Sequence, residues 1–487
     1  MDFESECKKE DMMKESRPSL IGTEEEKGEI PVAGNVEELR KDFSVWSLGS
    51  LCLCLMATWE ALSSVVAAAL ANGGAPCLFY NYCISLIGSL AISSSLAEIA
   101  SIWPTAGGQY HFVAALAPKS QMKIASWFTG WISIGGQIVL TASAAFSAGL
   151  QFQGLVTLNN PDSYVPTRWQ GILHLAGLIA IMAVLGVMAP KHDAHFVFIE
   201  VTNTSGWESD GVSWLVGLLS AVYPFLGYDA ACHLAEEMPR PARDVPIAMV
   251  GSVAVNGIMG LGYCIMLLYS LGDLNELLAS PTGFPFMQLY QNVTNNTAGA
   301  TILILVVCFI AVAANAAGCT STSRTYWAFA RDSATPYSKY FAHISSTTQV
   351  PVRAIIALTI IEMLLGLIYL GNSTAFNAIV SMSVLGMYAS YLVPIIYMIV
   401  YGRKNIKRSQ YGPFRLGDTL GLIVNVIAVV WLLVAIVFCT FPSVQPVTAQ
   451  NMNYSVVVMG GWLFFGAIFY FCFGRREYNG PIGMFEM

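Results

Sequence analysis

The sequence predicts an all-α polytopic membrane protein, and two observations lead to that prediction. Of the 487 residues, 55% are hydrophobic and only 11% are charged, whereas soluble domains carry about 25% charged residues. The mean hydropathy of +0.58 points the same way. The apolar residues also gather in runs of about 20, the length that a helix needs to cross the hydrocarbon of a bilayer. We expect eleven spans, at 46–70, 76–99, 124–150, 170–189, 213–235, 246–271, 300–322, 354–371, 376–401, 416–441 and 455–473.

The two ends of the chain lack such runs. Residues 1–42 are rich in acid and show no apolar periodicity, so we expect a disordered cytosolic tail there. The opening MDFESECKKED lacks the basic-then-apolar pattern of a cleaved signal peptide. Residues 474–487 are expected to form a second cytosolic tail, which leaves 43–473 as the transmembrane domain.

The sequence carries no enzymatic or metal-binding motif. Its eleven cysteines lie mostly inside apolar runs, without a CxxC pair or a cysteine–histidine cluster at zinc spacing, which indicates packing residues. It has no P-loop, GxSxG or HExxH pattern. The basic residues lie between the spans as topology signals, so nothing favours nucleic-acid binding. We expect neither a cofactor nor a metal.

The distribution of Lys and Arg gives a topology for each half of the chain, because cytosolic loops carry an excess of basic residues. From the N-terminus, Arg40 and Lys41 precede the first span, and Lys119 and Lys123 follow the second. Counting onward through four spans places Lys191 in the cytosol.

Counting from the C-terminus gives the opposite side for the residues just after Lys191. Residues 195–212 are placed outside the cell by the basic residues of the later loops, which are Arg240, Arg243, Arg324, Arg331, Lys339, Arg353, Arg403, Lys404, Lys407, Arg408, Arg475 and Arg476. Glycosylation sequons agree, at Asn203, Asn292, Asn295, Asn372 and Asn453. Residues 190–212 hold five charged side chains and cannot cross lipid. We therefore expect one helix to be missing near Ala189 to His195; the alternative is a miscounted weak span.

Two of the predicted spans carry signs of a broken helix at matching positions. The first, Leu51 to Pro76, holds Glu60 inside its apolar run, breaks at Thr58-Trp59-Glu60 and reaches Asn72-Gly73-Gly74 at its outer end. The second, Trp214 to Pro241, holds Pro224, Gly227 and Asp229. Matched interruptions are typical of transporters built from inverted repeats, whose substrate sites lie at the breaks. The alternative for the second segment is a proline kink without a ligand.

Several longer strings resemble the fungal branch of the amino acid–polyamine–organocation superfamily that holds choline and GABA permeases. They are TWEALSSVVAAALANGGAP, PTAGGQYHFVAALAP, GYDAACHLAEEMPRPARDVP, LIYLGNSTAFNAIVSMSVLGMYASYLVPI and YGPFRLG, and the resemblance runs from about Phe43 to the C-terminus. It implies a five-plus-five inverted-repeat transporter fold with two accessory helices. The implied division is a first repeat at 46–189, an extracellular segment at 195–212, a second repeat at 213–401 and accessory helices at 416–473. The departure is the fifth helix, which the family has between VLGVMAPKHDA and HFVFIEVTNTSGW and which helps to form the inner gate.

The two breaks supply the candidate substrate-binding residues, which are Thr58, Trp59, Glu60, Ala61, Tyr223, Phe225, Leu226, Gly227 and Asp229. Glu60 is the candidate for contact with a substrate cation or for carrying a coupled proton; the alternative is a structural acid bonded to a neighbouring helix. Asp229 either bonds backbone at the break or contacts substrate. Trp59 either caps a choline-like head group or packs in the core.

A second group of residues is a candidate for gating or ion binding, and comprises Gln109, Tyr110, Glu236, Glu237, Asn315, Thr320 and Thr322. Glu236 and Glu237, with Arg240 and Arg243, predict either a cytosolic ion-pair gate or a solvated helix end. His233 is expected to pair with one of the two glutamates. Gln109 and Tyr110 are expected to shape the inner vestibule. The polar residues before Arg324 either neighbour an ion site or only bond between helices.

Together these features predict a secondary active transporter, proton-coupled rather than enzymatic. It would import a small amine-bearing solute, such as an amino acid, GABA or choline, by alternating access. Its partners would be that solute, a proton and the lipid bilayer. Its place would be the plasma membrane rather than the vacuole, with both termini in the cytosol. The alternative is a non-transporting nutrient receptor or an inactive relic, because one helix is missing.

Overall fold

The computed structural model describes residue 41 and residues 43–159, 174–366, 375–449 and 451–481, and the regular structure in these ranges is entirely helical. The α-helices in chain order are α1 (Val45–Met56), α2 (Thr58–Ile102), α3 (Gln109–Leu116), α4 (Lys119–Asn159), α5 (His174–Met188), α6 (Ala194–Phe198), α7 (Asp210–Val216), α8 (Leu219–Val222), α9 (Ala230–His233), α10 (Pro241–Tyr269), α11 (Leu274–Leu278), α12 (Pro285–Thr294), α13 (Thr297–Arg331), α14 (Ser338–Phe341), α15 (Val352–Gly366), α16 (Ala375–Tyr397), α17 (Arg403–Asn405), α18 (Asp418–Phe438), α19 (Ser455–Phe469) and α20 (Arg475–Glu477).

Eight helical segments of the described residues are long and apolar enough to cross a bilayer. The first, Val45–Ile102, is 58 residues long and contains two of the predicted spans joined by a sharp turn. The predicted spans at 170–189 and 354–371 extend into residues outside the described ranges. The predicted all-α membrane fold is confirmed, while the count of eleven spans stays a prediction. The predicted tail at 1–42 lies almost wholly outside the described residues, as does the end of the C-terminal tail.

The first predicted helix break lies at Ala57, between α1 and α2. Ala57 adopts the left-handed conformation, with φ 40 and ψ 48, and this interrupts the helix one residue before the predicted Thr58-Trp59-Glu60 step. Farther along α2 the chain turns sharply at Gly73 and Gly74. A Cβ atom at Gly74, where φ is +70, would lie 2.5 Å from the Thr202 hydroxyl oxygen, so only glycine fits the turn.

The second predicted break divides the segment from Asp210 to His233 into short pieces. After α8, a 3₁₀ turn spans Tyr223–Phe225, with Pro224 inside it. Leu226 is extended, Gly227 has φ +105, and α9 follows. Pro224 cannot donate a helical hydrogen bond, and Gly227 accepts a backbone conformation that other residues avoid. The expectation of a discontinuous helix here is confirmed.

Contacts between α2 and α10 define two ends of the bundle. At one end the Ser101 hydroxyl donates to the Ala242 carbonyl at 2.8 Å; we name this the basic end, because Arg243 and Arg331 also lie there. Toward the other end the Ser63 and Tyr263 hydroxyls meet at 2.7 Å. We name that opposite end, which holds Asn72 and Tyr269, the sequon end. The basic end is the predicted cytosolic side.

The chain from Lys191 to Ser213 lies wholly at the sequon end. The His192 amide donates to the Tyr269 carbonyl at 2.9 Å, and Lys191 bonds Ser270 at 3.1 Å. At its other limit the Ser213 hydroxyl donates to the Asn72 carbonyl at 2.9 Å. Both limits of the segment therefore contact the same end of the bundle, the end that the count from the C-terminus predicts to be extracellular.

Asn203 anchors this segment by bonds of its own side chain. Its amide nitrogen donates to the Trp207 carbonyl and to Asp210, both at 3.0 Å, and its amide oxygen accepts from the Ser205 and Ser213 hydroxyls. The Gln445 amide donates to the Ser205 carbonyl at 2.7 Å, which ties the segment to the loop before α19.

The expectation of a missing helix near Ala189 to His195 stays a prediction. Helix α4 runs antiparallel to α13, since Asn315 bonds the Thr141 carbonyl while Phe152 packs on Phe309, so α4 leads to the sequon end. Helix α5 also finishes there, next to Lys191. Two successive helices that end on one side need a return between them. The residues between Asn159 and His174 lie outside the described ranges.

Candidate functional site

The two helix breaks meet inside the bundle, as the sequence predicts. The Thr58 hydroxyl donates to the Pro224 carbonyl at 2.9 Å, so the start of α2 satisfies a carbonyl in the broken segment. The break at Gly227 lies against α1, where an added Cβ atom would come within 2.8 Å of Leu55. Backbone that leaves the helical pattern inside a membrane protein is tolerated where protein or a cavity satisfies it.

A cavity with an empty volume of about 480 Å³ lies beside this junction. This volume includes space that is open to solvent, and the enclosed room for water-sized molecules is about 40 Å³. It is lined by Leu55, Met56, Ala57, Glu60, Ala61, Ser64, Leu140, Ala144, Ser147, Gln151, Tyr223, Leu226, Ala311 and Ala314. Glu60 is the only charged residue in this lining, and it is 2% exposed.

Four of the nine predicted binding residues line this cavity: Glu60, Ala61, Tyr223 and Leu226. The other five, Thr58, Trp59, Phe225, Gly227 and Asp229, do not. The Trp59 ring packs edge-on against Tyr263, with the ring centroids 5.2 Å apart, which agrees with the packing alternative. Contact of Trp59 with a ligand stays a prediction. Thr58 and Gly227 shape the breaks instead.

The polar side of the cavity comes from α4, which the sequence analysis did not select. The Ser143 and Tyr223 hydroxyls lie 2.8 Å apart, and Gln151 donates to the Ser64 hydroxyl at 2.8 Å and to Ser147 at 3.0 Å. Ser143, Ser147 and Gln151 follow one another at intervals of four residues. This is the helical period, and it would have revealed a polar face on an otherwise apolar helix.

Asp229 lies below the cavity, toward the basic end, in a buried polar cluster. Its carboxylate accepts from Gln109 at 2.8 Å, from the Tyr391 hydroxyl at 2.7 Å, and lies 3.2 Å from the His233 Nε2 atom. The prediction that Asp229 bonds backbone at the break is therefore wrong. The predicted pairing of His233 with Glu236 or Glu237 is also wrong, because the ring turns toward Asp229 and Gln137.

Gln109 and Tyr110 both lie in this region, below the cavity. Gly108, with φ +55, begins the turn of α3, and an added Cβ atom would lie 2.6 Å from the His233 ring. The Tyr110 hydroxyl donates to Asp332 at 2.7 Å, which connects α3 to the end of α13.

Two ion pairs close the basic end below the cluster. Arg331 makes two hydrogen bonds to Glu236, at 2.8 and 3.1 Å, and Arg324 bonds Glu237 at 2.9 Å. Both arginines come from α13. The predicted partners Arg240 and Arg243 are wrong, because the two glutamates turn inward to α13, while Arg240 is 69% exposed and pairs with Asp244 at 3.8 Å.

The remaining candidates bond between helices or to their own backbone. Asn315 donates to the Thr141 carbonyl at 3.0 Å, and the Thr322 and Thr141 hydroxyls meet at 3.0 Å. Thr320 bonds the Ala316 carbonyl one turn earlier. Both carboxylate oxygens of Glu362 lie 3.7 Å from the Cys319 sulfur. The described residues hold no group of three or more His, Cys, Asp or Glu side chains that could bind a metal ion.

The basic end predicts a pH dependence of stability through His111. Burial, aided by the charge of Arg331, lowers the pKa of His111 from 6.5 to about 3. Below pH 6.5 the unfolded chain therefore binds a proton at His111, whereas the folded chain does not. The free energy of unfolding falls as the pH drops from 6.5 toward 3. The slope approaches about 1.4 kcal/mol per pH unit.

Glu236 adds a second loss at lower pH. Burial alone would raise the pKa of Glu236, but the guanidinium of Arg331 holds this pKa below its ordinary value of 4.5. The contribution of Glu236 to the free energy of unfolding is complete above pH 4.5 and is lost as the pH falls through the lowered pKa. Thermal unfolding of the detergent-solubilised protein between pH 7.5 and 3 measures both losses of stability, the one through His111 and the one through Glu236. A His111→Gln variant should flatten the upper part of the curve; an unchanged slope would contradict the assignment.

Known proteins resemble this chain over most of its length. A family model described as amino acid permease matches residues 43–199 and 167–463. The chain is 30% identical to the choline transporter of Saccharomyces cerevisiae over 502 residues, which cover 97% of this chain and 88% of that protein. It is 29% identical to amino-acid permease 2 of Neurospora crassa over 501 residues, which cover 96% of this chain and 91% of that protein.

Among solved structures, a mutant of the manganese transporter of Eremococcus coleocola covers 90% of this chain with a TM-score of 0.52 and 12% identity, and 98% of that protein is matched. This likeness concerns the fold alone. The resemblance predicted from the sequence strings is confirmed. Because the family model and the relatives extend over nearly the whole helical region, the chain belongs to the amino acid permease family, whose members are membrane transporters and not enzymes.

Proposed function

We propose that this protein is a secondary active transporter that imports a small amine-bearing solute by alternating access, driven by a coupled proton. The observation that supports the proposal most directly is the meeting of two broken helices beside a cavity that contains a carboxylate. Thr58 bonds the Pro224 carbonyl at this junction, and Glu60, two residues farther along α2, lines the cavity. Substrate sites of inverted-repeat transporters lie at such junctions.

The charge of the cavity favours a cationic solute without a carboxylate. Glu60 stands in the first turn of α2, where the partial positive charge of the helix N-terminus would otherwise attract a substrate carboxylate. The lining contains no lysine or arginine that could hold such a group. An ammonium group is attracted by Glu60 and by the Tyr223 ring. Choline, the substrate named for the yeast relative, has this character.

The ion pairs at the basic end support a state that is closed toward the predicted cytosol. Arg331 with Glu236 and Arg324 with Glu237 lie between the cavity and that end. In this proposal they separate when the solute is released inward, and Gln109 and Tyr110 move with them. The predicted plasma-membrane location and cytosolic termini belong to the same proposal.

Uptake by a permease-deficient fungal strain tests the substrate class. Cells that express the chain are expected to take up radiolabelled choline faster than GABA or neutral amino acids, and the choline uptake should fall as the external pH is raised. Cells with empty vector give the baseline. Uptake restricted to solutes that carry a carboxylate would contradict the role given to Glu60, and the absence of uptake for every probe would contradict the transport function.

One set of observations favours a second function, that of a non-transporting membrane receptor. The two family matches share residues 167–199, and both alignments exceed the 487 residues of the chain, so each relative has residues without a counterpart here. A helix that is missing between the two matched parts of the chain would account for both facts. Sequencing of the transcript across codons 155–200 tests this, because about 20 additional apolar codons would restore a complete crossing. A transcript without them, with surface expression and no uptake, would favour the receptor.

A further inference from the structure

Gln151 on α4 has a hydrogen-bond acceptor that the surrounding protein does not use. The side chain is 0% exposed and lines the cavity beside the two helix breaks. Its amide nitrogen donates to the Ser64 hydroxyl at 2.8 Å and to the Ser147 hydroxyl at 3.0 Å. Its amide oxygen, Oε1, is buried and has no hydrogen-bond partner among the residues that the structure describes. A buried acceptor without a donor is unfavourable, so this atom calls for a donor from within the cavity.

The hydrogen bonds of Ser64 determine which way the Gln151 amide turns. The Ser64 hydroxyl donates its one hydrogen to the Glu60 carbonyl at 3.1 Å, so its oxygen can only accept from Gln151. The amide nitrogen must therefore face Ser64. A rotated amide would bring two acceptors together at this contact, and the hydrogen-bond network excludes it. The atom without a partner is thus the acceptor of the amide and not one of its donors.

The other polar side chains of the cavity lining do not supply the missing donor. The Tyr223 and Ser143 hydroxyls meet at 2.8 Å, and Ser143 donates its hydrogen to the Leu140 carbonyl at 2.6 Å, so the Tyr223 hydrogen goes to Ser143. Ser147 contacts the amide nitrogen of Gln151 and not its oxygen. Apart from Glu60, Ser64, Tyr223, Ser147 and Gln151, the side chains of the described lining are apolar. The donor must therefore come from a molecule inside the cavity.

We propose that Gln151 determines the solute specificity by accepting a hydrogen bond from a hydroxyl group of the solute. The transported class is then the small ammonium ions that carry a hydroxyl. This rests on the proposed function, in which Glu60 holds the ammonium group. Glu60 and Ser64 lie one turn apart on α2, about 6 Å along its axis, and Ser64 holds the Gln151 amide. A solute with a cation at one end and a hydroxyl at the other can contact both groups.

The chemistry of a quaternary ammonium ion makes the hydroxyl necessary. Such an ion has no N–H group, so its hydroxyl is the donor that Oε1 of Gln151 requires. An alkylammonium ion of the same charge without the hydroxyl leaves this oxygen buried and unpaired. Sites built to bond a hydroxyl reject analogues that lack it for this reason. A primary ammonium ion has N–H groups, but these are held at Glu60, one helical turn away.

The first measurement uses the unmodified full chain in a permease-deficient fungal strain. Radiolabelled choline is compared with radiolabelled ethyltrimethylammonium, in which a hydrogen replaces the hydroxyl. We expect choline to be preferred by at least about tenfold in Vmax/KM, because the analogue leaves a buried acceptor without a donor. Ethanolamine should be preferred over ethylamine in the same way, and this second comparison distinguishes a hydroxyl donor from an N–H donor.

The second measurement assigns the preference to Gln151. Gln151→Met keeps the length of the side chain and removes the amide, so the preference is expected to fall to within about twofold, through loss of choline uptake. Gln137→Met is the matched control. Gln137 is a buried glutamine of the same helix whose amide oxygen also lacks a partner in the described chain, but it bonds His233 and does not line the cavity. Gln137→Met should keep the preference, whatever its effect on total uptake.

The outcomes separate this inference from the proposed function. A preference that persists in Gln151→Met would overturn the role of Gln151 and leave transport standing. Equal uptake of the two quaternary ions by the unmodified protein, or of ethanolamine and ethylamine, would overturn it without any variant, so misfolding of Gln151→Met does not block the test. Loss of the preference in Gln137→Met as well would assign the preference to the general state of α4 and overturn it too. Failure of the unmodified protein to take up any of the cations would remove the transport function itself, and this inference with it.

Discussion

Replacement of Glu60 by glutamine is expected to reduce choline uptake by at least about 100-fold with normal surface expression. Glutamine keeps the size of the side chain and removes its charge. Loss of one member of a buried charge pair costs about 2–5 kcal/mol, and about 2.7 kcal/mol corresponds to 100-fold in affinity. The loss should appear mainly as a raised KM, because the carboxylate lines the cavity where the ammonium group would bind.

Glu362 provides the matched control for this prediction. It is also an acid within an apolar helix, on α15, but it does not line the cavity and contacts Cys319 instead. Glu362→Gln is expected to keep uptake within about twofold, as is usual for substitutions away from a site. Equal effects of the two substitutions would show that the loss reflects a general need for membrane acids. Unchanged uptake in Glu60→Gln would remove Glu60 from the binding site.

Replacement of Gly227 by alanine is expected to abolish measurable uptake and to lower Tm. The φ of +105 lies in a region that L-residues rarely adopt, at a cost of about 1–3 kcal/mol. The added Cβ atom would also lie 2.8 Å from the Leu55 Cγ atom, so the broken segment would move away from α1. The junction with Thr58 would then shift, and with it the Tyr223 and Leu226 side of the cavity.

Gly262 is the control for that substitution, because an added Cβ atom there meets nothing within 4 Å on the regular helix α10. Gly262→Ala should leave uptake unchanged and raise stability slightly, since alanine loses less freedom on folding. Adding Leu55→Ala to Gly227→Ala separates the two causes: it removes the crowding and leaves the backbone strain. Full activity of Gly227→Ala, measured by choline uptake, would show that the break tolerates side chains and is not a fixed part of the site.

The sequence predicted the second break because local chemistry determines it. Proline removes a helical donor and glycine accepts positive φ, so Pro224 and Gly227 mark a break without any knowledge of the tertiary fold. The partners of charged residues were not predictable in this way. Glu236 and Glu237 are closer in sequence to Arg240 and Arg243, yet they bind Arg331 and Arg324, because the packing of α13 and not sequence separation determines which guanidinium is near.

The contacts of Lys191 were not predictable for a related reason. Lys191 is typical of a cytosolic topology signal, but its aliphatic side chain lies along α5. Its ammonium group bonds Ser270 at the sequon end. A single basic residue carries little weight when tertiary contacts satisfy it. The polar face of α4 was not predicted, because no helix break marks it. The four-residue spacing of Ser143, Ser147 and Gln151 is the signal that indicates this face.

The side-chain bonds of Asn203 determine where a sugar chain can be carried. Attachment of an oligosaccharide replaces one hydrogen of the amide nitrogen, yet that nitrogen already donates to both Trp207 and Asp210. Asn295, by contrast, is exposed and stands in a left-handed turn at the end of α12. Carbohydrate on the folded protein is therefore compatible with Asn295 and would disrupt the anchor at Asn203, so a single glycan at the α12 turn would mark the sequon end as the face that passed through the secretory lumen.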